Sequence, residues 1–233
     1  MATNHEHIVK SYDSELTRLY GEITRMGEIA AAQLEAAIDA LGRRDSGAAR
    51  RVVANDVAID ELEQEVSHDV LRLLALRQPM ARDLREVYGA LRISADIERI
   101  GDYAANVAKR SIVLNEGAAV PAAHQALPTL ARRANALVRD AITAFGNRDA
   151  TLALAVRGRD AELDELYTAL FRELLTYMAE DPRMITPCAH LLFIAKNIER
   201  IGDHATNVAE YTYFIVNGEM PPDAREKRDA TSQ

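Results

Sequence analysis

Residues 96–108 read DIERIGDYAANVA, and residues 197–209 repeat this stretch as NIERIGDHATNVA. Two further segments recur upstream in the same order, GRRD at 42–45 with GNRD at 146–149 and DVAIDEL at 56–62 with DAELDEL at 160–166. Ordered recurrence of this kind is typical of an internal duplication, in which one structural unit occurs twice along the chain. We therefore expect two similar halves.

Each half has the composition of three long helices, with residues typical of helix ends between them. Aromatic residues make up 5% of the chain and Trp is absent, so few residues favour strands. Gly42 is placed at the end of the first helix, Asp45 is a good N-cap for the second, and Pro79 is predicted to open the third. The predicted helices span residues 8–41, 45–77, 79–115, 121–145, 149–179 and 184–217.

Long helices joined by short turns pack nearly antiparallel. The predicted fold class is therefore all-α, with two tandem, internally duplicated three-helix bundles. We predict the first bundle at residues 1–117 and the second at residues 118–218. Residues 219–233 are charged and poor in apolar side chains, so we expect a disordered tail there.

Charge and cysteine content argue against several classes of protein. The formal net charge of −8 disfavours binding to nucleic acid. Cys188 is the only cysteine, so the chain forms neither an internal disulfide nor a cysteine-based zinc site. The N-terminus is polar, unlike a signal peptide, and no apolar stretch is long enough to span a bilayer. We expect a cytoplasmic protein that reaches a membrane only indirectly, through partners.

The repeated motif places acidic side chains at helical spacing. Glu98, Asp102 and Asn106 are spaced i, i+4 and i+8, nearly opposite the apolar positions of the third helix. Asp56 and Asp60 lie at the flank of the apolar face of the second helix. We expect the first group to face water and the four carboxylates to converge at a groove between the two helices. The corresponding residues of the second half are Asp160, Asp164, Glu199, Asp203 and Asn207.

Carboxylates one helical turn apart repel each other, so this pattern favours a compensating cation. Bound metal is one source of that charge, and oxygen ligands suit Mg²⁺, Ca²⁺, Mn²⁺ or iron, with Zn²⁺ also open. Arg99 and Arg200 are the other source, in which case the acidic groups form an ordinary solvated face. His204 reads as an exposed surface histidine, although a ligand role is open.

The motifs around Glu98 and Glu199, the acidic runs at 56–62 and 160–166 and the RQPM turn at 77–80 together resemble the PhoU family of phosphate-regulon regulators. The resemblance covers almost the whole chain. It implies two three-helix bundles, a homodimer and multinuclear metal clusters on the bundle surface. The implied metal ligands are Glu98, Asp102, Glu199 and Asp203, then Asp60, Asp164, Asp56 and Asp160, with Asn106 and Asn207 as ligands or orienting residues.

The same resemblance implies a function. The family represses the phosphate-starvation response when phosphate is plentiful, by linking the ATPase of the high-affinity phosphate ABC transporter to a sensor histidine kinase. We therefore expect a negative regulator of phosphate uptake that works as an adaptor. Position 197 is Asn where the first half has Asp96, so we expect the second metal site to differ from the first.

An enzyme is the competing class of protein. The sequence shows no Ser-His-Asp order, no glycine-rich phosphate loop and no pair of Glu-x-x-His motifs such as di-iron bundles use. We therefore predict that the protein is not an enzyme. A metal-dependent hydrolase or metal-storage bundle stays open as the alternative, and so does a structural helical repeat without metal.

Overall fold

The computed structural model describes residues 2–117 and 121–222, and it describes side chains from residue 12 onwards. Every regular element in these two ranges is a helix, which confirms the all-α prediction. The long helices are α1 (Ala2–Gly42), α2 (Ser46–Asn55), α3 (Val57–Arg77), α4 (Arg82–Glu116), α5 (Leu127–Asn147), α6 (Ala150–Glu180) and α7 (Ile185–Asn217). Short 3₁₀ helices at Ala122–Ala126 and Pro182–Met184 precede α5 and α7.

The first turn in each half is built in the same way. Asp45 accepts a hydrogen bond from the backbone N of Ala48 at 2.9 Å, as its prediction as an N-cap requires. Asp149 accepts hydrogen bonds from the backbone N atoms at 151 and 152, both at 2.9 Å. The preceding residues, Arg44 and Arg148, have φ values of 54° and 53° and close the turns in the left-handed region.

Three predicted helices differ from the structure. The fourth, predicted from residue 121, begins as α5 at Leu127 after the 3₁₀ helix Ala122–Ala126. The second helix of the first half is interrupted at Asp56, where the N–H of Ile59 bonds the carbonyl of Asp56 at 2.9 Å and tightens the helix by one residue. Pro79 does not open α4, which begins at Arg82. Gln78 and Ala81 have φ values of 47° and 49°, so residues 78–81 form a turn that Pro79 lies within.

A glycine in each copy of the motif brings neighbouring helices together. A Cβ atom at Gly101 would lie 2.7 Å from Ile59 Cδ1 of α3. A Cβ atom at Gly202 would clash in the same way with Leu163 of α6. A larger residue at either position would have to displace the tip of the facing side chain, so glycine favours the close approach of the second and third helices of each half.

The two halves meet along their third helices. Helix α4 lies against α1, α2 and α3, α7 lies against α5 and α6, and α4 and α7 pack along each other. Buried apolar residues of both halves form one continuous core. Glu86 of α4 is buried and accepts hydrogen bonds from Arg148 of the second half at 3.0 and 2.8 Å. The halves therefore share a core and a buried ion pair.

Two sequence predictions fall partly outside the described residues. The joint between the halves includes residues 118–120, and the predicted disordered tail includes residues 223–233. The domain boundaries at 117 and 218 stay predictions. No helix in the described part of the chain is long and apolar enough to cross a membrane.

Candidate functional site

The first half brings its four predicted carboxylates into one electrostatic group, here called the first carboxylate cluster (Asp56, Asp60, Glu98 and Asp102). Burial, followed by the charges of Asp60 and Asp102, raises the pKa of Asp56 above its usual value. Burial, followed by the charge of Asp102, also raises the pKa of Glu98. In this half, the four carboxylates therefore lie close enough to influence one another, as expected for acids that converge between the second and third predicted helices.

Asp56 lies at the buried end of the first carboxylate cluster. Its Oδ1 atom is inaccessible to solvent and has no partner in hydrogen-bonding geometry among the residues with described side chains. A Cβ atom at Gly101 would lie 3.4 Å from this oxygen, so the motif glycine leaves room beside it. The charge of Lys109 and the neighbouring Gln33 amide both lower the pKa of Asp56 and oppose the effect of burial. Asp56 thus presents an oxygen that a cation would stabilise.

Arg99 partly compensates the outer members of the cluster. Its guanidinium lies 3.1 Å from Asp102 Oδ2 and 3.4 Å from Glu98 Oε2. The side chains of Glu98 and Asp102 keep 26% and 37% of their surface exposed, so they are half-buried and do not simply face water. In the first half, therefore, an arginine offsets part of the negative charge of the acids, which is one of the two alternatives that the sequence allowed.

The second half buries the equivalent carboxylates, here called the second carboxylate cluster (Asp160, Asp164, Glu199 and Asp203). Asp160, Asp164 and Glu199 are only 2%, 2% and 3% exposed. The expectation that the motif acids of this half face water is therefore wrong for Glu199. The physical reason is that α6 runs along α7 as one unbroken helix and buries Asp160 and Asp164 together with Glu199, whereas the matching stretch of the first half is broken between α2 and α3 at Asp56.

The buried acids of the second half have their own partners. Lys196 Nζ lies 3.0 Å from Glu199 Oε2, and the hydroxyl of Thr206 donates to Asp160 Oδ1 at 3.3 Å. Arg200 does not take the role of Arg99, since its guanidinium lies over the ring of Tyr103 at 5.6 Å. The two clusters are equivalent in sequence and different in charge balance.

The donor atoms of the first carboxylate cluster fit a hard cation, but they do not form a closed cage. Carboxylate oxygens, one of them buried in Asp56, are the ligands that Mg²⁺, Ca²⁺ and Mn²⁺ prefer. Among the described residues, however, no three His, Cys, Asp or Glu side chains are arranged so that they could hold a metal ion. Metal binding at either cluster stays a prediction.

The sequence missed a polar contact between the two halves. Asp96 Oδ1 of α4 lies 2.7 Å from His204 Nδ1 and accepts a hydrogen bond from Asn207 Nδ2 at 3.1 Å, both from α7. The interpretation of His204 as an exposed histidine is therefore wrong, and Asn207 is engaged with the opposite half. The signal was present, because Asp96 and His204 occupy two of the positions at which the copies of the motif differ.

Comparison with known proteins matches the whole length of this architecture. A family model described as the PhoU domain matches residues 23–111 and again residues 127–212. A protein of Xylella fastidiosa strain 9a5c, named a phosphate-specific transport system accessory protein PhoU homolog, is 64% identical, with 97% of this chain and 95% of that protein covered. A Caulobacter vibrioides protein of the same name is 47% identical over 98% of this chain and 99% of its own.

Solved structures agree with the fold. The crystal structure of PhoU from Pseudomonas aeruginosa matches with a TM-score of 0.87 and 36% identity, covering 89% of this chain and 100% of that one. The phosphate transport system regulatory protein PhoU from Streptococcus pneumoniae matches with a TM-score of 0.83 and 27% identity, covering 90% and 99%.

Proposed function

Because the chain belongs to the PhoU domain family, we propose that it is an accessory protein of phosphate-specific transport and a negative regulator of the phosphate-starvation response. The observation that carries this proposal is the extent of the match, since a relative with that name aligns with 97% of the chain. The duplicated domain and the fold agree with regulatory proteins of the same description.

The protein acts as an adaptor that links the transporter ATPase to a sensor histidine kinase. It does so in the cytoplasm as a homodimer, and it catalyses no reaction. An adaptor needs apolar surface that a partner covers. Large apolar side chains are exposed at the end of α3 and the start of α4, on either side of the turn at 78–81. They are Leu71, Leu76, Met80, Leu84 and Tyr88.

Recovery of partners from cells tests the adaptor role. The full chain, carrying an affinity tag, is expected to recover the transporter ATPase and the sensor kinase from cells grown with ample phosphate. The variant Leu76→Glu/Met80→Glu should lose at least one of them. Leu154→Glu on α6 is the matched control, because Leu154 is an exposed apolar residue away from this turn. Recovery of neither protein by the unchanged chain would end the adaptor proposal.

Metal is proposed to support this role at the surface. The first carboxylate cluster is the stronger candidate, because Asp56 and Glu98 have raised pKa values that a divalent cation would lower. The second carboxylate cluster is the weaker one, because Lys196 already lies against Glu199. A bound hard cation would offset the mutual repulsion of the acids and hold α3 close to α4.

A further inference from the structure

A groove of about 460 Å³ lies between α4 and α7 on one side of their crossing. Four basic side chains line it, two from each half of the protein: Lys109 and Arg110 from α4, Lys196 and Arg200 from α7. Asn106 adds an amide, and no carboxylate is among the described residues that line the groove. This concentration of positive charge occurs in a chain whose formal net charge is −8.

The region of α4 and α7 that corresponds to the groove in the duplication does not have the same concentration of basic residues. Arg110 stacks on the ring of Phe193 at 4.6 Å, and on the other side Arg92 stacks on the ring of Tyr211 at 5.2 Å. Arg92 occupies the position equivalent to Phe193, and Tyr211 the position equivalent to Arg110. Both regions therefore contain one contact between an arginine of α4 and an aromatic ring of α7, although the two residue types exchange places between the equivalent positions.

Positions that are basic in the groove are neutral or acidic in their counterparts. Lys109 corresponds to Glu210, and Lys196 corresponds to Ala95. Glu210 is neutralised by Arg157, whose Nε lies 3.0 Å from its Oε1. Asp96 is bound by His204 and Asn207, so the carboxylates of this second region have partners within the protein.

Both lysines of the groove face acids of the protein, since Lys196 lies 3.0 Å from Glu199 and the charge of Lys109 lowers the pKa of Asp56. The two arginines differ, because no carboxylate among the described residues forms a salt bridge with Arg110 or Arg200. Arg200 rests on an aromatic ring, and Arg110 contacts an aromatic ring and His190 Nδ1 at 3.5 Å. Stacking on a ring leaves the edge of a guanidinium, with its N–H donors, directed away from the ring. Burial and the charge of Arg110 lower the pKa of His190, which agrees with a positive potential in this region.

We propose that this groove binds an anion through a phosphate group. The guanidinium groups of Arg110 and Arg200 match phosphate oxygens with paired hydrogen bonds, and the Asn106 amide supplies a neutral donor. The volume exceeds that of a single orthophosphate ion, so a phosphate group carried by a larger molecule also fits. This inference does not depend on the adaptor role, because it concerns the isolated protein.

Calorimetric titration of the full chain tests the proposal. Orthophosphate, pyrophosphate and ATP are titrated separately at constant ionic strength, after dialysis against a chelator that removes metal–phosphate complexes. Saturable binding of at least one of them, near one site per chain, is expected. Tighter binding of orthophosphate identifies the free ion as the ligand, and tighter binding of pyrophosphate or ATP identifies a phosphate group within a larger molecule.

Variants decide where the anion binds. Arg200→Gln should raise the Kd by about tenfold, since it removes charge-assisted hydrogen bonds. Arg200→Lys should fall between that variant and the unchanged chain. Arg92→Gln on the opposite side is the matched control, with the same change of charge and an expected effect below about twofold. Unchanged circular dichroism spectra verify that each variant is folded.

The proposal is overturned by either of two results. One is the absence of saturable binding for all three phosphate compounds at millimolar concentration. The other is equal weakening by Arg200→Gln and Arg92→Gln, which would indicate a general charge effect. Neither result bears on the recovery of partner proteins from cells, so this inference and the adaptor proposal fail separately.

Discussion

The two carboxylate clusters carry the same acidic residues on equivalent helices, yet their surroundings differ. In the first, Asp56 and Glu98 have raised pKa values, Arg99 pairs with Glu98 and Asp102, and the charge of Lys109 acts on Asp56. In the second, Glu199 is buried against Lys196, a residue whose counterpart in the first half is Ala95. A shared motif thus specifies which side chains lie together, while neighbouring residues decide their charge balance.

The largest expected difference concerns stability. Glu199→Ala should lower the free energy of unfolding by about 2 kcal/mol, because it removes a buried carboxylate together with its salt bridge to Lys196. Glu98→Ala, its counterpart, should change stability by less than about 0.5 kcal/mol, since that side chain is half-exposed among like charges. Urea unfolding measures both. Equal losses would show that the clusters are energetically equivalent after all.

Metal affinity is expected to differ in the opposite sense. Asp102→Asn should weaken Mn²⁺ binding by about tenfold, because it removes a charged ligand from the cluster whose acids form no salt bridge with a lysine among the described residues. Asp203→Asn should weaken it less. Titration of metal-free protein followed by elemental analysis measures the affinity and the stoichiometry. If the unchanged chain binds no stoichiometric metal, both metal sites are ruled out and the structural repeat without metal is favoured.

A smaller effect is expected at Thr206, whose counterpart in the first half is Ala105. Thr206→Ala gives the second half the residue of the first and removes the hydrogen bond to Asp160. A loss of about 1 kcal/mol in the free energy of unfolding is expected, because the Asp160 oxygen is buried. Thr176→Ala is a suitable control, since Thr176 is an exposed helical residue that bonds only its own helix. Equal losses for the two variants would contradict the role assigned to Thr206.

The smallest expected effect is on the pH dependence of stability. Burial raises the pKa of Asp56 above its ordinary value of 3.8, so the folded state binds more protons than the unfolded state. This group therefore stabilises the fold less as the pH rises above 3.8. In metal-free protein, Asp56→Asn should remove the contribution of Asp56 to the change in the free energy of unfolding with pH. The variant should therefore gain stability relative to the unchanged chain as the pH approaches neutrality. A slope of opposite sign in urea unfolding across the acidic range would contradict the raised pKa.

Much of the fold followed from sequence patterns alone. The duplication, the helical fold class and the N-cap Asp45 depend on patterns that can be read along the chain itself. The helix boundaries were predicted less accurately. Pro79 lies in a turn in which Gln78 and Ala81 have positive φ values, and neither residue is a glycine, so the sequence gives no sign of where this turn ends.

The sequence determined which residues share a face of a helix, because the helical period is a property of the backbone itself. Only the tertiary structure decided which of those faces are covered. The packing of the unbroken α6 on α7 buries Glu199, and the packing of α4 on α7 brings His204 to Asp96. The packing of α4 on α7 also assembled four basic residues from both halves into one groove. Contacts between distant segments depend on how whole helices pack, and helical periodicity carries no information about that.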